Sequence, residues 1–261
     1  MKLHSSLHKD FKKKEELIAK NGDIKFNNRK AKIDAKGRTK SSQKWLHRQV
    51  NDPFANAAKI EGYLARSAYK LLEIQHKYHI FTEKTKIIID LGCSPGSWSQ
   101  VVLTNKQFAG TKVIGIDLLP VKFQHKDLSF IQGDFENNNT QKQLVEKINK
   151  VSNEIYNQKK EQTSAKNPNS KVDCIICDIA LNNIGNAEID RLRSERIIEL
   201  ALSFCKMHLA GGGNFVCKAI KGADNAVFND IKQCFSKTFR FKPKSSHKDS
   251  SEIFIIALNK L

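Results

Sequence analysis

The sequence predicts an α/β fold in which a mostly parallel sheet of seven strands is covered by helices on both faces. Short runs of apolar residues recur along the chain, and segments with helical periodicity separate most of them. Apolar runs that alternate with helices are typical of a parallel sheet buried on both sides. We expect the last two strands to form an antiparallel pair.

The predicted elements follow one another in a regular order. Apolar residues at helical spacing cover 55–78 and are interrupted near Gly62, which fits two helices or one kinked helix. A helix over 187–209 is followed by Gly211 to Gly213, a strong C-terminal signal. Two other helices are predicted over 140–157 and 225–235, and a short helix begins at about Trp98. The predicted strands cover 86–90, 112–117, 128–134, 172–178, 214–220, 238–244 and 252–258.

The charge of the chain is strongly basic and unevenly distributed. The formal net charge is +18, and the first 50 residues hold 15 Lys and Arg against 5 Asp and Glu. We therefore divide the chain into a basic arm without stable structure, residues 1–42, and a domain over 43–261 that contains a mobile polar loop at 158–171. Such an arm suits a polyanion such as nucleic acid. The alternative is a tail that only keeps the protein in solution.

The cysteine pattern and the hydropathy exclude several classes of protein. No apolar run reaches about 18 residues, and the N-terminus lacks the apolar stretch of a signal peptide, so we expect a cytoplasmic protein. Cys174 and Cys177 have the spacing of a metal or redox pair, but they lie in a predicted strand. Residues three apart on a strand face opposite sides, so we expect these two thiols to be separate core residues.

The segment "DLGCSPGSW", residues 90–98, opens a turn after the first predicted strand. In open α/β sheets the ligand lies beyond the carboxyl ends of the strands, near this turn. A dinucleotide fingerprint would need a glycine where Ser94 stands, and a P-loop would need a Gly-Lys-Ser/Thr ending. Both phosphate-binding interpretations therefore lose their defining residues, whereas Gly92 and Gly96 would still let a different ligand approach the backbone.

Two carboxylates follow the next two strands and favour a nucleoside without a pyrophosphate. Asp117 ends the second strand and can accept both hydroxyls of a ribose, and Asp134 ends the third and can accept from an adenine amino group. One such acid alone is usually a turn or helix cap. Two at corresponding strand ends after a glycine turn are the pattern expected for S-adenosylmethionine.

With these motifs the chain closely resembles the RrmJ/FtsJ (RlmE) ribosomal RNA 2′-O-methyltransferases. The resemblance covers roughly 45–258 and has eight parts in the order of the family: "WLHRQVNDPF", "RSAYKLLEI", "DLGCSPGSWSQV", "GIDLLP", "QGDF", "CDIALNNIG", "LAGGGNFVCK" and "SSEIFIIA". It departs from the family at Cys93 and Ser94, where alanines are usual, and at Leu181, where a proline is usual.

The resemblance implies a Rossmann-like S-adenosylmethionine-dependent methyltransferase fold and two sets of site residues. A Lys-Asp-Lys-Glu tetrad falls on Lys70, Asp178, Lys218 and Glu252. The site of the methyl donor falls on Gly96, Trp98, Asp117, Asp134 and Asp178. The resemblance also implies that the target is a uridine in the peptidyl-transferase region of large-subunit ribosomal RNA. We expect S-adenosylhomocysteine as the product, no metal, no membrane partner and a monomer.

A ribose 2′-hydroxyl is a poor nucleophile near neutral pH, so a positioned base must take its proton during attack on the methyl carbon. A lysine can do so only if a neighbouring cation lowers its pKa, and Lys70 and the sulfonium of the donor are the available cations. We assign Lys218 as the base or hydroxyl-orienting residue and Asp178 as the group that positions it. Lys70 and Glu252 are expected to hold the target ribose.

Phosphate contacts are expected from Arg48, Arg66, Lys70 and the arm. Two alternatives remain open at this point. One is a transfer-RNA 2′-O-methyltransferase of the same superfamily, against which the "WLHRQVNDPF" segment argues. The other is a ribosome-assembly factor that binds RNA without catalysis, against which the intact tetrad argues.

Overall fold

The structure is a computed structural model that describes residue 39 and residues 52–160, 171–181, 184–247 and 249–261. The predictions for the basic arm, for Arg48 and for nearly all of the 158–171 loop fall outside these residues. Among the described helices, none is long and apolar enough to cross a membrane.

Helices and strands alternate along most of the domain. The helices are α1 (Pro53–Glu61), α2 (Ser67–Tyr78), α3 (Ser97–Leu103), a 3₁₀ turn (Lys106–Phe108), α4 (Asn138–Lys160), α5 (Ala187–His208) and α6 (Phe228–Cys234). The strands are β1 (Ile87–Leu91), β2 (Lys112–Asp117), β3 (Leu128–Gln132), β4 (Val172–Cys177), β5 (Leu209–Ile220), β6 (Phe235–Phe241) and β7 (Glu252–Lys260). Each predicted strand is present within a few residues of its expected ends.

The seven strands form one sheet in the order β3-β2-β1-β4-β5-β7-β6. The pairs from β3 to β5 are parallel, and β7 is antiparallel to both β5 and β6. The predicted antiparallel closing pair is therefore confirmed, and β7 lies between the two strands that precede it. After β1 the chain builds outward to β3 and then returns to β4 on the other side of β1. This reversal opens a crevice at the carboxyl ends of β1 and β4.

Two hydrophobic cores cover the two faces of the sheet. Helices α4, α5 and α6 pack on one face, and α1, α2 and α3 pack on the other. Strand β1 shows the alternation directly, because Ile87, Ile89 and Leu91 belong to the first core and Ile88 to the second. Cys177 lies in the first core and Cys174 in the second, as their spacing on a strand predicts.

The interruption near Gly62 separates two helices rather than kinking one. Helix α1 begins after Asp52, whose Oδ1 accepts from the main-chain N–H groups of Phe54 (3.0 Å) and Ala55 (3.2 Å). It ends at Gly62, which has a positive φ of 77°. A new helix then begins at Ser67, which carries Lys70 towards the sheet.

The predicted end of helix α5 at residue 209 is confirmed within one residue, but Gly211 to Gly213 do not form its cap. Helix α5 ends at His208, Leu209 is extended and fully buried, and the glycines lie inside β5. The last carbonyls of α5 are instead bound by Lys260, whose Nζ donates to the main-chain oxygens of Cys205 (2.8 Å), Lys206 (2.7 Å) and Leu209 (2.8 Å). A cation 51 residues beyond Leu209 in sequence replaces the local glycine cap.

Candidate active site

Gly92 and Gly96 shape the turn that follows β1. Both have positive φ, 76° and 108°. A Cβ at Gly92 would lie 2.7 Å from the Cα of Ile179, and one at Gly96 would lie 2.6 Å from the Cβ of Phe123. The expected reason for glycine at both positions is the close approach of a ligand. The structure gives a different reason, since the space that each side chain would need is filled by the protein itself.

Three of the predicted site carboxylates line one cavity at the carboxyl ends of β1, β2 and β4. This larger cavity has a volume of about 390 Å³, within the range of small-molecule sites. Asp117, Asp134 and Asp178 all line it, together with Leu118 and Leu119, whose side chains are mostly exposed at its mouth. The crevice predicted from the topology therefore holds the predicted acids.

The carboxylates that line the larger cavity have hydrogen-bond acceptor positions that no group among the described residues occupies. Asp117 accepts from the main-chain N–H groups of Ser94 (2.9 Å, Oδ2) and Leu119 (2.8 Å, Oδ1), and Asp134 accepts from that of Glu136 (2.9 Å). A carboxylate has about four acceptor positions, so sites remain on both residues. Buried Oδ1 of Asp178 has no hydrogen bond within the described residues. A ligand with several hydroxyl and amino donors fits this lining.

Trp98 and Gly96 do not line the larger cavity. Trp98 is buried, its Nε1 donates to the main-chain oxygen of Ser67 (2.8 Å), and its ring lies 5.8 Å from that of Phe254. In this structure Trp98 joins α3 to the start of α2. The prediction that Trp98 and Gly96 contact the methyl donor stays a prediction.

The four tetrad residues form two ion pairs. Lys70 Nζ lies 2.8 Å from Glu252 Oε2, and Lys218 Nζ lies 3.0 Å from Asp178 Oδ1. Lys218 donates its hydrogen bond to the main-chain oxygen of Asp178 (2.9 Å), so the contact with the side chain is an ion pair without hydrogen-bond geometry. All four side chains are 13–17% exposed.

Strand register accounts for this meeting of residues that are distant in sequence. In the antiparallel pair of β5 and β7, Lys218 is opposite Phe254 and Ile220 is opposite Glu252. Lys218 and Glu252 are therefore diagonal neighbours on one face of the sheet. Lys70 reaches this face from α2, and its ammonium lies 5.7 Å from the centre of the Phe254 ring.

A smaller cavity adjoins the larger one at the tetrad. It has a volume of about 210 Å³, and both Lys218 and Glu252 line it. The two cavities share Ile179 to Leu181 and Ile197 as lining residues. Leu181, which stands where the family usually has proline, is part of this common wall. The larger cavity is therefore lined by Asp117, Asp134 and Asp178, and the smaller cavity by Lys218 and Glu252.

Ser246 is a site residue that the sequence analysis missed. Its Oγ donates to Glu252 Oε1 (2.7 Å), and the residue is buried. Burial alone would raise the pKa of Glu252, but the Lys70 ammonium, the Ser246 hydroxyl and the charge of Lys218 together hold that pKa below its usual value. Serines are common in polar loops, so the sequence does not indicate that Ser246 binds Glu252.

Asp90 is a second buried acid close to the site, and the sequence analysis gave it no role. It is 1% exposed, and its Oδ2 accepts from the Ser99 hydroxyl (2.7 Å). Burial and, to a smaller extent, the charges of Asp178 and Asp117 raise the pKa of Asp90, the hydrogen bond from Ser99 lowers it, and the net result is a pKa of about 7. Asp90 therefore changes charge near neutral pH.

Arg66, which was expected to contact phosphate, is bound within the protein. Its guanidinium pairs with Asp52 and donates to the main-chain oxygen of Ser245. It also lies within hydrogen-bond distance of the His247 ring. The phosphate contact expected of Arg66 stays a prediction. Its observed contacts fix the loop between β6 and β7 against α2.

The sheet order, the antiparallel β7 and the acid-lined crevice define a Rossmann-like methyltransferase fold. The chain belongs to the FtsJ-like methyltransferase family, whose model matches residues 63–260. This match includes all four tetrad residues and the three acids of the larger cavity.

Similar proteins cover most of the chain. The ribosomal RNA large subunit methyltransferase E of Rickettsia felis is 36% identical over 87% of this chain and 92% of its own length. The protein of the same name from Caulobacter vibrioides is 37% identical over 85% and 88%. A Plasmodium falciparum protein assigned as a ribosomal RNA methyltransferase has a crystal structure that matches 76% of this chain and 99% of its own, with 32% identity and a TM-score of 0.58.

We expect Ser246→Ala to slow methyl transfer about fivefold to tenfold, because it removes one net hydrogen bond from Glu252. Loss of the hydroxyl also raises the pKa of Glu252, so the acid limb of the pH–rate profile should move to higher pH. Ser246→Thr keeps a hydroxyl and should restore both properties. Ser236→Ala, on exposed β6, serves as the matched control, and equal profiles for all four proteins would contradict the role of Ser246.

We expect Asp90 to make the stability of the fold depend on pH. Its pKa rises from the ordinary value of 3.8 to about 7 on folding, so the folded protein keeps a proton that the unfolded chain releases in this interval. The free energy of unfolding should therefore fall as pH rises from about 4 to 7, by at most about 1.4 kcal/mol per unit.

Urea unfolding across this pH range measures the effect. Asp90→Asn should remove this component of the fall, and Asp230→Asn, which changes an exposed acid on α6, should retain it. The assignment is wrong if Asp90→Asn and the wild type depend on pH in the same way.

Proposed function

We propose that this protein transfers a methyl group from S-adenosylmethionine to a ribose 2′-hydroxyl of large-subunit ribosomal RNA, at a uridine in the peptidyl-transferase region. The observation that carries the proposal is the meeting of Lys70, Asp178, Lys218 and Glu252 where the two cavities adjoin. The names of the bacterial relatives, which cover most of this chain, support ribosomal RNA as the substrate.

The larger cavity is proposed to hold the donor. When bound, S-adenosylmethionine supplies an electrophilic methyl carbon on a sulfonium centre. The remaining acceptor positions of Asp117 would bind the ribose hydroxyls, and those of Asp134 would bind the adenine amino group. Asp178 lines this cavity, and its carboxylate oxygen that is not paired with Lys218 would accept from the ammonium of the methionine portion. S-adenosylhomocysteine would leave the same cavity.

The smaller cavity is proposed to hold the target ribose. Lys218 would orient the 2′-hydroxyl or take its proton, and its contacts with the carbonyl and carboxylate of Asp178 fix the position of its ammonium. The pairing of Lys70 with Glu252 leaves the second carboxylate oxygen to Ser246, so Glu252 is held rigidly at the cavity wall. None of the roles assigned to these residues involves a metal ion.

The basic arm, residues 1–42, is proposed to add phosphate contacts, since it carries most of the excess charge of the first 50 residues. The proposal places the reaction in the cytoplasm and treats the active species as a monomer, because all four tetrad residues come from one chain.

The proposal is tested by methyl transfer from labelled S-adenosylmethionine to large ribosomal subunits that lack the modification. We expect Lys218→Ala to lower the single-turnover rate by at least about 100-fold, because the hydroxyl loses its orienting or proton-accepting group. Binding of the subunit should be unchanged. Lys206→Ala, which removes an exposed lysine on α5, is the matched control and should react as the wild type does.

Lys218→Arg separates the two roles of this residue. An arginine keeps the positive charge but does not accept a proton, so partial activity would favour orientation and complete loss would favour the base. Subunit binding without transfer by the wild type would reject the enzyme and favour an assembly factor. Transfer to transfer RNA but not to the large subunit would reject the ribosomal substrate.

A further inference from the structure

One face of α2 forms a continuous seam with the β6–β7 hairpin, and the seam begins at the tetrad. Lys70, Glu73 and Lys77 follow one another at helical spacing. Lys70 pairs with Glu252, Glu73 accepts from the main-chain N–H groups of Lys244 and Ser245, and Lys77 lies over the Phe241 ring. The seven steps from Lys70 to Lys77 correspond to about 10 Å along the helix axis.

Aromatic rings line the end of the seam that is distant from the tetrad. The centre of the Tyr78 ring lies 5.1 Å from that of Phe239 and 5.5 Å from that of Phe241. Phe239 is 39% exposed although it lies in a strand, and β6 is the last strand of the described sheet. An exposed phenylalanine against a tyrosine leaves apolar ring surface in contact with water.

Cations are interleaved with these rings. Lys77 Nζ lies 5.2 Å from the centre of the Tyr78 ring and 4.8 Å from that of Phe241. Lys237 is exposed and precedes Phe239 by two residues on β6, so the two share one face of the strand. Lys244, also exposed, continues the positive charge towards the tetrad. Of the three rings only Phe239 is exposed, and an exposed ring beside cations is a feature with which proteins bind single-stranded nucleic acid.

We propose that this seam, formed by Lys77, Tyr78, Lys237, Phe239, Phe241 and Lys244, binds the single-stranded RNA next to the target nucleotide. A base would stack on Phe239, while Lys77, Lys237 and Lys244 would contact phosphates. The seam leads directly to Lys70 and Glu252, so a strand bound along it delivers its ribose to the smaller cavity. The inference rests on the proposed function, because it takes RNA as the substrate.

The anchoring of the loop supports a preformed surface. Glu73 is buried, and its two carboxylate oxygens accept from Lys244 N (2.6 Å) and Ser245 N (2.8 Å). Arg66 binds the oxygen of Ser245 from the other side. The loop therefore holds Lys244 beside α2 and Ser246 beside Glu252. The same hydrogen bonds position one residue of the seam and one residue that binds the tetrad.

The test measures the binding of a fluorescein-labelled single-stranded RNA of about 20 nucleotides to the full-length protein at several salt concentrations. We expect the double variant Lys77→Gln, Lys237→Gln to bind about tenfold more weakly. It should also reduce the slope of log K against log salt by about 1.4, since each lost phosphate contact on a single strand contributes about 0.7. Phe239→Leu should bind about tenfold more weakly with an unchanged slope, because stacking releases no counterions.

The double variant Lys142→Gln, Lys150→Gln is the matched charge control, since both lysines are exposed on α4 at the opposite face of the sheet. Thermal melting of each variant checks that it is folded. In methyl transfer to large subunits, the seam variants should raise the KM for RNA and leave kcat and donor binding unchanged, because they touch neither cavity. Equal affinity and slope for the wild type and the seam variants would overturn the inference.

The outcomes separate the seam from the proposed function. If the wild type methylates the subunits and the seam variants match it in binding and KM, the seam is wrong and the proposed function stands. If the wild type transfers no methyl group but the seam variants still weaken RNA binding, the seam stands and the proposed function fails. An absence of RNA binding by the wild type rejects the seam outright.

Discussion

The constraint on which the site depends is that Lys70 and Lys218 are largely removed from water and must each be paired. Removing an ammonium from solvent costs several kcal/mol unless an opposite charge and hydrogen bonds offset the loss. Glu252 and Asp178 provide those charges from two other strands. The fold therefore brings together the ends of β4, β5 and β7 and one face of α2. Replacement of any one partner would leave an uncompensated charge beside the cavities.

The two cavities are lined by different sets of site residues. The acids that end β2 and follow β3 line the larger cavity, whereas Lys218 and Glu252 line the smaller one. Asp178 lines the larger cavity and pairs with Lys218, and the segment that follows it, Ile179 to Leu181, is common to both. A donor and an acceptor held in the two cavities would meet at this shared wall. The proposed reaction therefore needs no large movement of the sheet.

Much of the fold could be predicted from the sequence, because apolar runs and helical periodicity report burial directly. The seven strands, the two helices around Gly62 and the opposite orientations of Cys174 and Cys177 follow from such patterns. The end of α5 is predicted within one residue, but the group that binds its last carbonyls could not be predicted in this way. Its cap is Lys260, a tertiary contact, and three glycines nearby gave a stronger local signal.

Some residues of the candidate site could likewise be predicted from the sequence, and others could not. Residues that belong to recognisable motifs, such as Asp117 and Lys218, could be named from sequence. Ser246 and Asp90 could not, because their importance lies in burial and in one hydrogen bond each. The pairing of Arg66 with Asp52 could not be predicted either, and its expected phosphate contact stays a prediction.

The separation of the two cavities is tested most directly by calorimetric titration of S-adenosylmethionine into Asp117→Asn and Glu252→Gln. The first substitution alters the larger cavity and the second alters only the smaller one. The account predicts that Asp117→Asn weakens donor binding at least about tenfold, equivalent to about 1.4 kcal/mol, and that Glu252→Gln binds as the wild type does. Equal loss in both variants, or undiminished binding by Asp117→Asn, would contradict it.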